Sequence, residues 1–454
     1  MSRNDARRTI AFTTLGCKLN QFETDSIATR FRAAGYEIVD FDEAADVYVV
    51  NSCTVTNRAD RKSRNLLYRA RRRSSPAVTR SPNDGAVAPP GRPLVVLTGC
   101  YVESHRDDLE NDESTWFVGN DRKQSIPDLV EAHFAGEAIH PTGSVFDFPV
   151  PERIFHTRAT VKVQDGCDNY CTFCIIPYVR GRATSRPSQD VVEAAREAIH
   201  SGAREIVLTG VNMSRYRDDG LDFAELVERV LAIDGDWRLR ISSLEPDRLT
   251  ERFIELFDHP RMAPHLHLCL QSASERILLA MRRQYTFDQY RRLAAALRDR
   301  DSLFNLTTDI IVGFPSETEA EFEESLSAVR SLGFGHVHTF PYSVRNGTRA
   351  ERMDGHLPSG VKTARGARIR ERAAAAKRRY RERLIGRTER VLVERTREVD
   401  GEVRLAGLGA HYVPIEVPCA ASAALAREYE NTFVDVRLER LTGGDDPSLL
   451  GRLL

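Results

Sequence analysis

Six of the eight cysteines stand where their type and spacing could do metal or redox chemistry. Cys167, Cys171 and Cys174 lie within eight residues, in "GCDNYCTFC", with no histidine or fourth cysteine close by in sequence. Zinc sites usually draw on two paired knuckles of cysteine or histidine, whereas iron–sulfur clusters are held by thiolates and often take several from one loop. Three thiolates on a four-iron cluster leave one iron open for a ligand that is not protein. The segment therefore predicts a cluster site rather than a structural zinc or redox site.

Cys17, Cys53 and Cys100 form a second set, because each ends or follows a predicted strand: "TTLGC", "VVNSC" and "VLTGC". Parallel strands place their carboxyl ends side by side, so residues far apart in sequence can converge there. Glycine precedes two of the three, which allows close backbone approach. The alternative is three unrelated buried cysteines. Their equivalent positions favour a second three-thiolate cluster, and Cys269 and Cys419 are predicted to be ordinary packed or surface residues.

Three regions of the chain differ in pattern. The first alternates strands such as "RTIAFTTLG" and "VYVVNSC" with helices, which indicates a parallel α/β sheet. The second repeats strand then helix six times, which fits an incomplete (β/α)6 barrel like an unfinished TIM barrel. The third alternates apolar and polar residues in four short segments, which predicts a small antiparallel β-barrel. We therefore predict an α/β protein with domains at residues 8–145, 153–383 and 384–454.

Polar residues and glycines recur where the predicted barrel strands end. Active sites of such barrels lie at the carboxyl ends of their strands. Each residue alone is more often a loop or cap residue, but together they fit contacts to a nucleoside and an amino acid. The predicted cofactor contacts of this kind are Gly210, Asn212, Ser243, Glu245, Gln271, Asp309 and Gly313.

Composition limits the remaining choices. The 454 residues carry 65 basic and 66 acidic side chains, a net charge of −1, but two stretches, 58–80 and 361–390, are strongly basic. Such stretches indicate contact with a polyanion, or else solvated helix faces. No run of about 18 apolar residues predicts a membrane span. The N-terminus lacks the apolar segment of a signal peptide, so we expect a cytoplasmic protein without membrane contact.

The spacing of Cys167, Cys171 and Cys174, with Phe173 before the last, resembles the signature of the radical S-adenosylmethionine superfamily. In that superfamily the open iron binds the amino and carboxylate groups of S-adenosylmethionine, and the segment of Gly313 would lie against the adenine. The two triads together, with "GCKLNQFETD", "NSCTVTNRADRKSR" and "VGFPSETE", resemble the methylthiotransferase family. The resemblance implies an N-terminal methylthiotransferase domain, a radical core and a C-terminal TRAM barrel that binds tRNA. An insertion at about 74–92 departs from the family's usual length.

Within that family, "LGCKLNQFETD" resembles the branch that acts on threonylcarbamoyladenosine. This implies methylthiolation of its carbon 2, beside the anticodon of tRNA. Two [4Fe-4S] clusters are then expected. One molecule of S-adenosylmethionine gives a methyl group to sulfur at the Cys17, Cys53 and Cys100 cluster, and a second is cleaved at the other cluster.

The sequence is also compatible with other functions. The substrate could be isopentenyladenosine of tRNA or a ribosomal protein side chain, and a zinc-stabilised RNA-binding protein without catalysis is a third possibility. The helix after Cys53, with Arg58, Arg61, Lys62 and Arg64, is expected to orient the anticodon loop or the substrate's carboxylate, or to be a solvated face. The sequence names neither the sulfur donor, the electron donor, the tRNA species nor the oligomeric state.

Overall fold

The computed structural model describes residues 7–73, 91–109, 113–151, 157–420 and 422–454. Most of the predicted insertion, residues 74–90, lies outside the described residues. The chain divides into two compact units. The first comprises Met1–Phe155, Asp165–Thr184 and Ser343–Thr348, and the second comprises His156–Gln164, Ser185–Tyr342 and Arg349–Leu454.

A five-stranded parallel sheet forms the centre of the first unit, in the order β2-β1-β3-β4-β5. Two of its three inner strands, "VYVVNS" and "LVVLTG", are buried throughout, as expected for a parallel sheet covered on both faces. The strands are β1 (Thr9–Thr14), β2 (Glu37–Val39), β3 (Val47–Ser52), β4 (Leu94–Gly99) and β5 (Thr115–Val118). The helices are α1 (Lys18–Ala33), α2 (Asn57–Arg71), α3 (Cys100–Ser104), α4 (Ile126–Ala135) and α5 (Ile176–Val179), with 3₁₀ turns at Arg106–Asp108 and Lys123–Ser125.

Six parallel strands of the second unit lie in two sheets of three, ordered β10-β9-β6 and β11-β12-β13. A parallel bridge between Leu244 and Leu268 links the segments that follow β10 and β11. The predicted incomplete barrel is therefore confirmed. The strands are β6 (Ala159–Lys162), β9 (Glu205–Thr209), β10 (Arg238–Ile241), β11 (His265–His267), β12 (Asn305–Val312) and β13 (His336–Pro341). Two further short strands, β7 (Gln164–Asp165) and β8 (Thr184–Ser185), stand where the chain passes between units.

Helices alternate with these strands, and several begin with side-chain caps. Thr318, for example, forms a capping box with Glu321, which satisfies backbone N–H groups at the start of α11. The helices are α6 (Ser188–His200), α7 (Phe223–Leu231), α8 (Glu251–Glu255), α9 (Glu275–Ala280), α10 (Phe287–Arg300), α11 (Glu319–Leu332) and the long basic α12 (Ser359–Leu384). The 3₁₀ turns are Met213–Arg215, Pro246–Arg248, Leu256–Asp258 and Arg349–Arg352. Among the described residues, no helix combines the length and apolar character needed to cross a lipid bilayer.

The predicted small barrel is present and closed, in the order β14-β15-β16-β18-β17. The sequence pattern predicted four of its strands. The fifth, Leu449–Leu453, closes the barrel by pairing parallel to Pro414–Pro418, the one parallel pair among its described ladders. The strands are β14 (Thr388–Val399), β15 (Glu402–Leu408), β16 (Pro414–Pro418), β17 (Phe433–Leu441) and β18 (Leu449–Leu453), with a short helix α13 (Ala423–Ala426) and a 3₁₀ turn at Arg427–Tyr429.

Within the second unit, three buried charged residues connect strands β9 and β10 to the small barrel. The fully buried Glu205 accepts hydrogen bonds from Arg238 Nε at 2.7 Å and Arg240 Nε at 2.9 Å. Arg238 in turn donates to the carbonyl oxygens of Arg390 and Leu408, at 2.9 and 3.2 Å. The two guanidinium groups outweigh burial and lower the pKa of Glu205 below its usual range. The carboxylate thus orients the arginines that hold the barrel.

Replacing Glu205 by alanine is expected to lower the free energy of unfolding by about 3–5 kcal/mol, because it leaves two buried guanidinium groups without their counter-charge. Urea unfolding followed by tryptophan fluorescence measures this loss. Glu197→Ala, at an exposed position of α6, is the matched control and should change stability by less than about 0.5 kcal/mol. Equal effects of the two substitutions would contradict the role given to Glu205.

Candidate active site

Cys17, Cys53 and Cys100 lie at the same edge of the first unit's sheet, as the sequence predicted. Each comes just after one of three adjacent parallel strands, β1, β3 and β4. The register pairs Ser52 with Gly99, so Cys53 and Cys100 occupy the next position of neighbouring strands. A Cβ built on Gly16 would lie 3.2 Å from Cys53 Sγ, which places the Cys17 loop against Cys53. The parallel topology therefore brings the three thiols together.

Two side-chain amides donate hydrogen bonds that join neighbouring segments at this edge of the sheet. Asn20 Nδ2 donates to the carbonyl oxygens of Leu15 and Ser52, at 2.8 and 3.0 Å, and so joins the loops of Cys17 and Cys53. Asn120 Nδ2 lies 3.8 Å from Cys100 Sγ and donates to Val179 O at 2.8 Å. Sequence reasoning missed both amides, although Asn20 stands inside the quoted "GCKLNQFETD" motif.

The electrostatics of the thiols suit a cationic occupant. Burial, and then the nearby sulfurs of Cys100 and Cys17, raises the pKa of Cys53 to about 12. Three thiolates this close repel one another unless a positively charged centre lies between them. Metal coordination deprotonates a thiol outright, so such a centre would reverse the effect of burial.

The second triad lies on a tightly folded loop of the same unit, residues 165–184. Cys171 is buried, and Cys167 and Cys174 are half-exposed, as is Phe173. The loop turns at Gly166, where φ is +67° and a Cβ would lie 1.9 Å from Arg182 O. Asn169 N–H points at Cys167 Sγ, at 3.5 Å. Any residue other than glycine at position 166 would displace the loop that presents the cysteines.

The donor atoms test whether each triad fits a cluster or a single ion. Each triad offers three cysteine sulfur atoms. Structural zinc sites usually take four protein ligands, whereas iron–sulfur clusters are held by thiolates. The donor set of each triad therefore fits an iron–sulfur cluster. Within the described residues, His267, Asp309 and His338 form a set whose ligand atoms all lie within 4.8 Å of one another.

A buried charge network connects the two cysteine segments within the first unit. Arg180, six residues after Cys174, donates to Asp165 at 3.0 Å, Glu23 at 3.1 Å and Asn20 at 2.6 Å. The Lys123 ammonium is fully buried and lies 2.5 Å from Glu23. Burial lowers the pKa of Lys123, whereas for Arg180 the carboxylates and the thiols of Cys100 and Cys17 outweigh burial and raise the pKa. Two cations therefore balance two carboxylates next to groups that become anionic thiolates.

The predicted cofactor contacts belong to the second unit, apart from Phe173, which lies on the loop of the second triad. Gly210 and Asn212 follow β9, Ser243 and Glu245 follow β10, and Gln271 follows β11. Glu245 forms an ion pair with Arg283, and the backbone N–H of Asn212 donates to Gln164 Oε1 at 2.7 Å.

The remaining two members of this set, Gly313 and Asp309, differ in their position relative to β12. Gly313 follows the strand with φ at +72°, and its N–H donates to Glu317 Oε2 at 2.7 Å. Asp309 lies in mid-strand rather than at the end, because β12 continues to Val312, and its Oδ1 is 3.3 Å from His267 Nε2. Six of the seven barrel residues therefore follow strands, and their contact with a cofactor stays a prediction.

Comparison with known proteins agrees with this architecture. The family model described as the Radical SAM superfamily matches residues 161–329, and the one described as Uncharacterized protein family UPF0004 matches residues 9–119. Among solved structures, the radical S-adenosylmethionine methyltransferase TsrM from Kitasatospora setae, with cobalamin and a [4Fe-4S] cluster bound, shares the fold with a TM-score of 0.52. That alignment covers 74% of this chain and 75% of TsrM at 14% identity, so it supports the fold alone.

Curated relatives are much more similar in sequence. The threonylcarbamoyladenosine tRNA methylthiotransferase MtaB of Thermotoga maritima is 35% identical, over 85% of this chain and 87% of that protein. MtaB of Bacillus subtilis is 36% identical, over 80% of this chain and 79% of that protein. The tRNA-2-methylthio-N(6)-dimethylallyladenosine synthase of Moorella thermoacetica is 34% identical, over 87% of this chain and 89% of that protein. The cofactors of the chain are S-adenosylmethionine and [4Fe-4S] clusters. The chain belongs to the methylthiotransferase family of radical S-adenosylmethionine enzymes.

Proposed function

We propose that this tRNA methylthiotransferase adds a methylthio group to carbon 2 of threonylcarbamoyladenosine at position 37, next to the anticodon. The observation that supports this most is the presence of two separate three-cysteine sets in one compact unit. The names of the relatives at 32–36% identity over most of their length support the threonylcarbamoyl substrate.

The reaction explains why two cluster sites are needed. A carbon–hydrogen bond of an aromatic ring has no leaving group and no useful acidity, so acid–base or nucleophilic catalysis is not sufficient. When bound, S-adenosylmethionine and the clusters supply one-electron chemistry for that bond, and the methyl group and sulfur of the new substituent. In this proposal Cys17, Cys53 and Cys100 hold the auxiliary cluster, and Cys167, Cys171 and Cys174 hold the cluster that binds S-adenosylmethionine.

The chain's own residues have defined tasks around these sites. Arg180 and Lys123 are balanced by Glu23 and Asp165, and this buried network joins the two cysteine segments without adding net charge. Asn20 and Asn120 fix the loops on which Cys17 and Cys100 stand. Polar strand-end residues of the second unit remain the predicted contacts of S-adenosylmethionine.

The predicted domains take matching roles in the proposal: residues 8–145 bind the auxiliary cluster, 153–383 form the radical core with the second cluster, and 384–454 bind tRNA. Part of the charge on the basic helix α12 is used internally, since Arg365, Arg368 and Arg381 form ion pairs with Glu317, Glu319 and Asp446. Within the described residues, other basic side chains of this helix are exposed and have no ion-pair partner, and these would meet tRNA phosphates. Arg370, Arg372, Arg378 and Arg379 are among them. A tRNA substrate places the enzyme in the cytoplasm.

Cysteine substitutions distinguish the roles of the two proposed cluster sites. Cys17→Ala should retain reductive cleavage of S-adenosylmethionine but give no methylthio product, because only the auxiliary site loses a ligand. Cys171→Ala should lose cleavage and product together. Anaerobic assays that quantify 5′-deoxyadenosine and modified nucleoside measure both outputs, with Cys419→Ala, on the small barrel, as control. Cleavage that survives in Cys171→Ala would refute the assignment of that loop.

The substrate is tested by nucleoside analysis of total tRNA from a strain lacking the gene. The methylthio form should disappear while threonylcarbamoyladenosine accumulates, and the intact gene should restore it. Loss of methylthio-dimethylallyladenosine instead would move the enzyme to the other tRNA branch. Unchanged tRNA nucleosides would exclude both.

A further inference from the structure

A pocket of about 650 Å³ opens in the first unit between the helices that follow Cys53 and begin at Cys100. Such a volume lies within the usual range for small-ligand sites. Residues that line the pocket contact Cys100 itself and the residue that follows Cys53. Asp60, which lines it, accepts a 2.6 Å hydrogen bond from Thr54, the residue after Cys53. Ile175 and Val179, also in the wall, pack against Cys100.

The charges of the lining do not cancel. Arg345 is neutralised by Asp60, at 2.6 Å, and Glu103 is bonded to Arg106 outside the lining. The remaining charged side chains of the lining are Arg61, Arg64 and Asp108, together with the imidazole of His105. Two guanidinium groups against one carboxylate leave an excess of positive charge in the pocket.

Both arginines are available to a ligand. Arg61 is exposed and, in the part of the chain that the structure describes, has no hydrogen-bond or ion-pair partner. Arg64 makes one long contact, 3.5 Å, with the Tyr101 hydroxyl group. An unpaired guanidinium fork matches a carboxylate better than an ammonium does.

Aromatic side chains give the same pocket a surface for a base. Tyr178 lines it and is 60% exposed. His105 lines it too and is stacked on Tyr101, with ring centroids 4.2 Å apart. Exposed aromatic rings in basic grooves are typical stacking platforms for RNA bases.

We propose that this pocket receives the modified base of the substrate, and that Arg61 and Arg64 bind the carboxylate of its threonylcarbamoyl group. The proposal rests on the proposed function and deepens it, because it names residues that would distinguish an acidic side group from an apolar dimethylallyl group. Arg58 and Lys62 of the same helix do not line the pocket, so specificity is confined to one part of the basic helix. A backbone phosphate of the RNA is the competing occupant.

Binding of anticodon stem-loop RNAs to the intact, cluster-loaded protein tests the proposal. Two RNAs are compared at one salt concentration: one with threonylcarbamoyladenosine at position 37, the other with its neutral methyl ester. The wild type should bind the acid more tightly. Arg61→Ala should weaken binding of the acid by roughly 10- to 100-fold, as expected for a lost charge-assisted hydrogen bond, and leave the ester nearly unchanged. Arg61→Lys should restore part of the preference.

Lys62→Ala is the matched control, because it removes one positive charge from an exposed neighbouring position outside the pocket. It should weaken both RNAs equally or neither. The proposal is overturned if Arg61→Ala also weakens both RNAs equally, which identifies a phosphate contact, or if the wild type does not distinguish acid from ester. Turnover of the acid RNA by the wild type is measured in parallel. If turnover is normal while discrimination is absent, only this inference fails; if the acid RNA is not a substrate, the proposed function fails and takes the inference with it.

Discussion

Neighbouring strands of a parallel sheet end at the same edge, and this geometry builds the candidate active site. The first unit uses this edge to assemble three thiols that are 36 and 47 residues apart along the chain, from Cys17 to Cys53 to Cys100. Cys53 and Cys100 stand directly after fully buried strands, and Cys17 stands on the loop that follows β1, so the backbone hydrogen bonds of one sheet position all three. A site held in this way can bind a multinuclear group with only three protein ligands.

Electrostatic balance is the second requirement. Thiolates are costly to bury unless positive charge lies near them. Arg180 and Lys123 lie near the thiols, but Glu23 and Asp165 balance their charge, so a positively charged occupant has to neutralise the thiolates. The network also links the loop of the second triad to helix α1 of the first, since Arg180 stands on one and Glu23 on the other. One set of buried ion pairs thus serves both cysteine sets.

Much of this could be predicted from sequence because the signals are periodic or locally dense. Continuous apolar runs identified the central strands, and cysteines at their ends identified the edge where function would lie. Short strands were missed, such as Glu37–Val39, Thr115–Val118 and Leu449–Leu453, because three to five residues give little periodicity. Arg180 and Lys123 were also missed as site residues. A single charged side chain in sequence looks like a surface residue, and only the tertiary fold shows that it is buried beside a carboxylate.

The central claim is that two [4Fe-4S] clusters are present, each with three thiolate ligands. Mössbauer spectroscopy with iron and sulfide analysis, on protein reconstituted anaerobically, tests it most directly. We expect about eight irons per chain, all in [4Fe-4S] clusters, falling to about four when Cys17, Cys53 and Cys100 are replaced together. A wild-type protein that holds only about four irons after full reconstitution, or that binds zinc in their place, would contradict it.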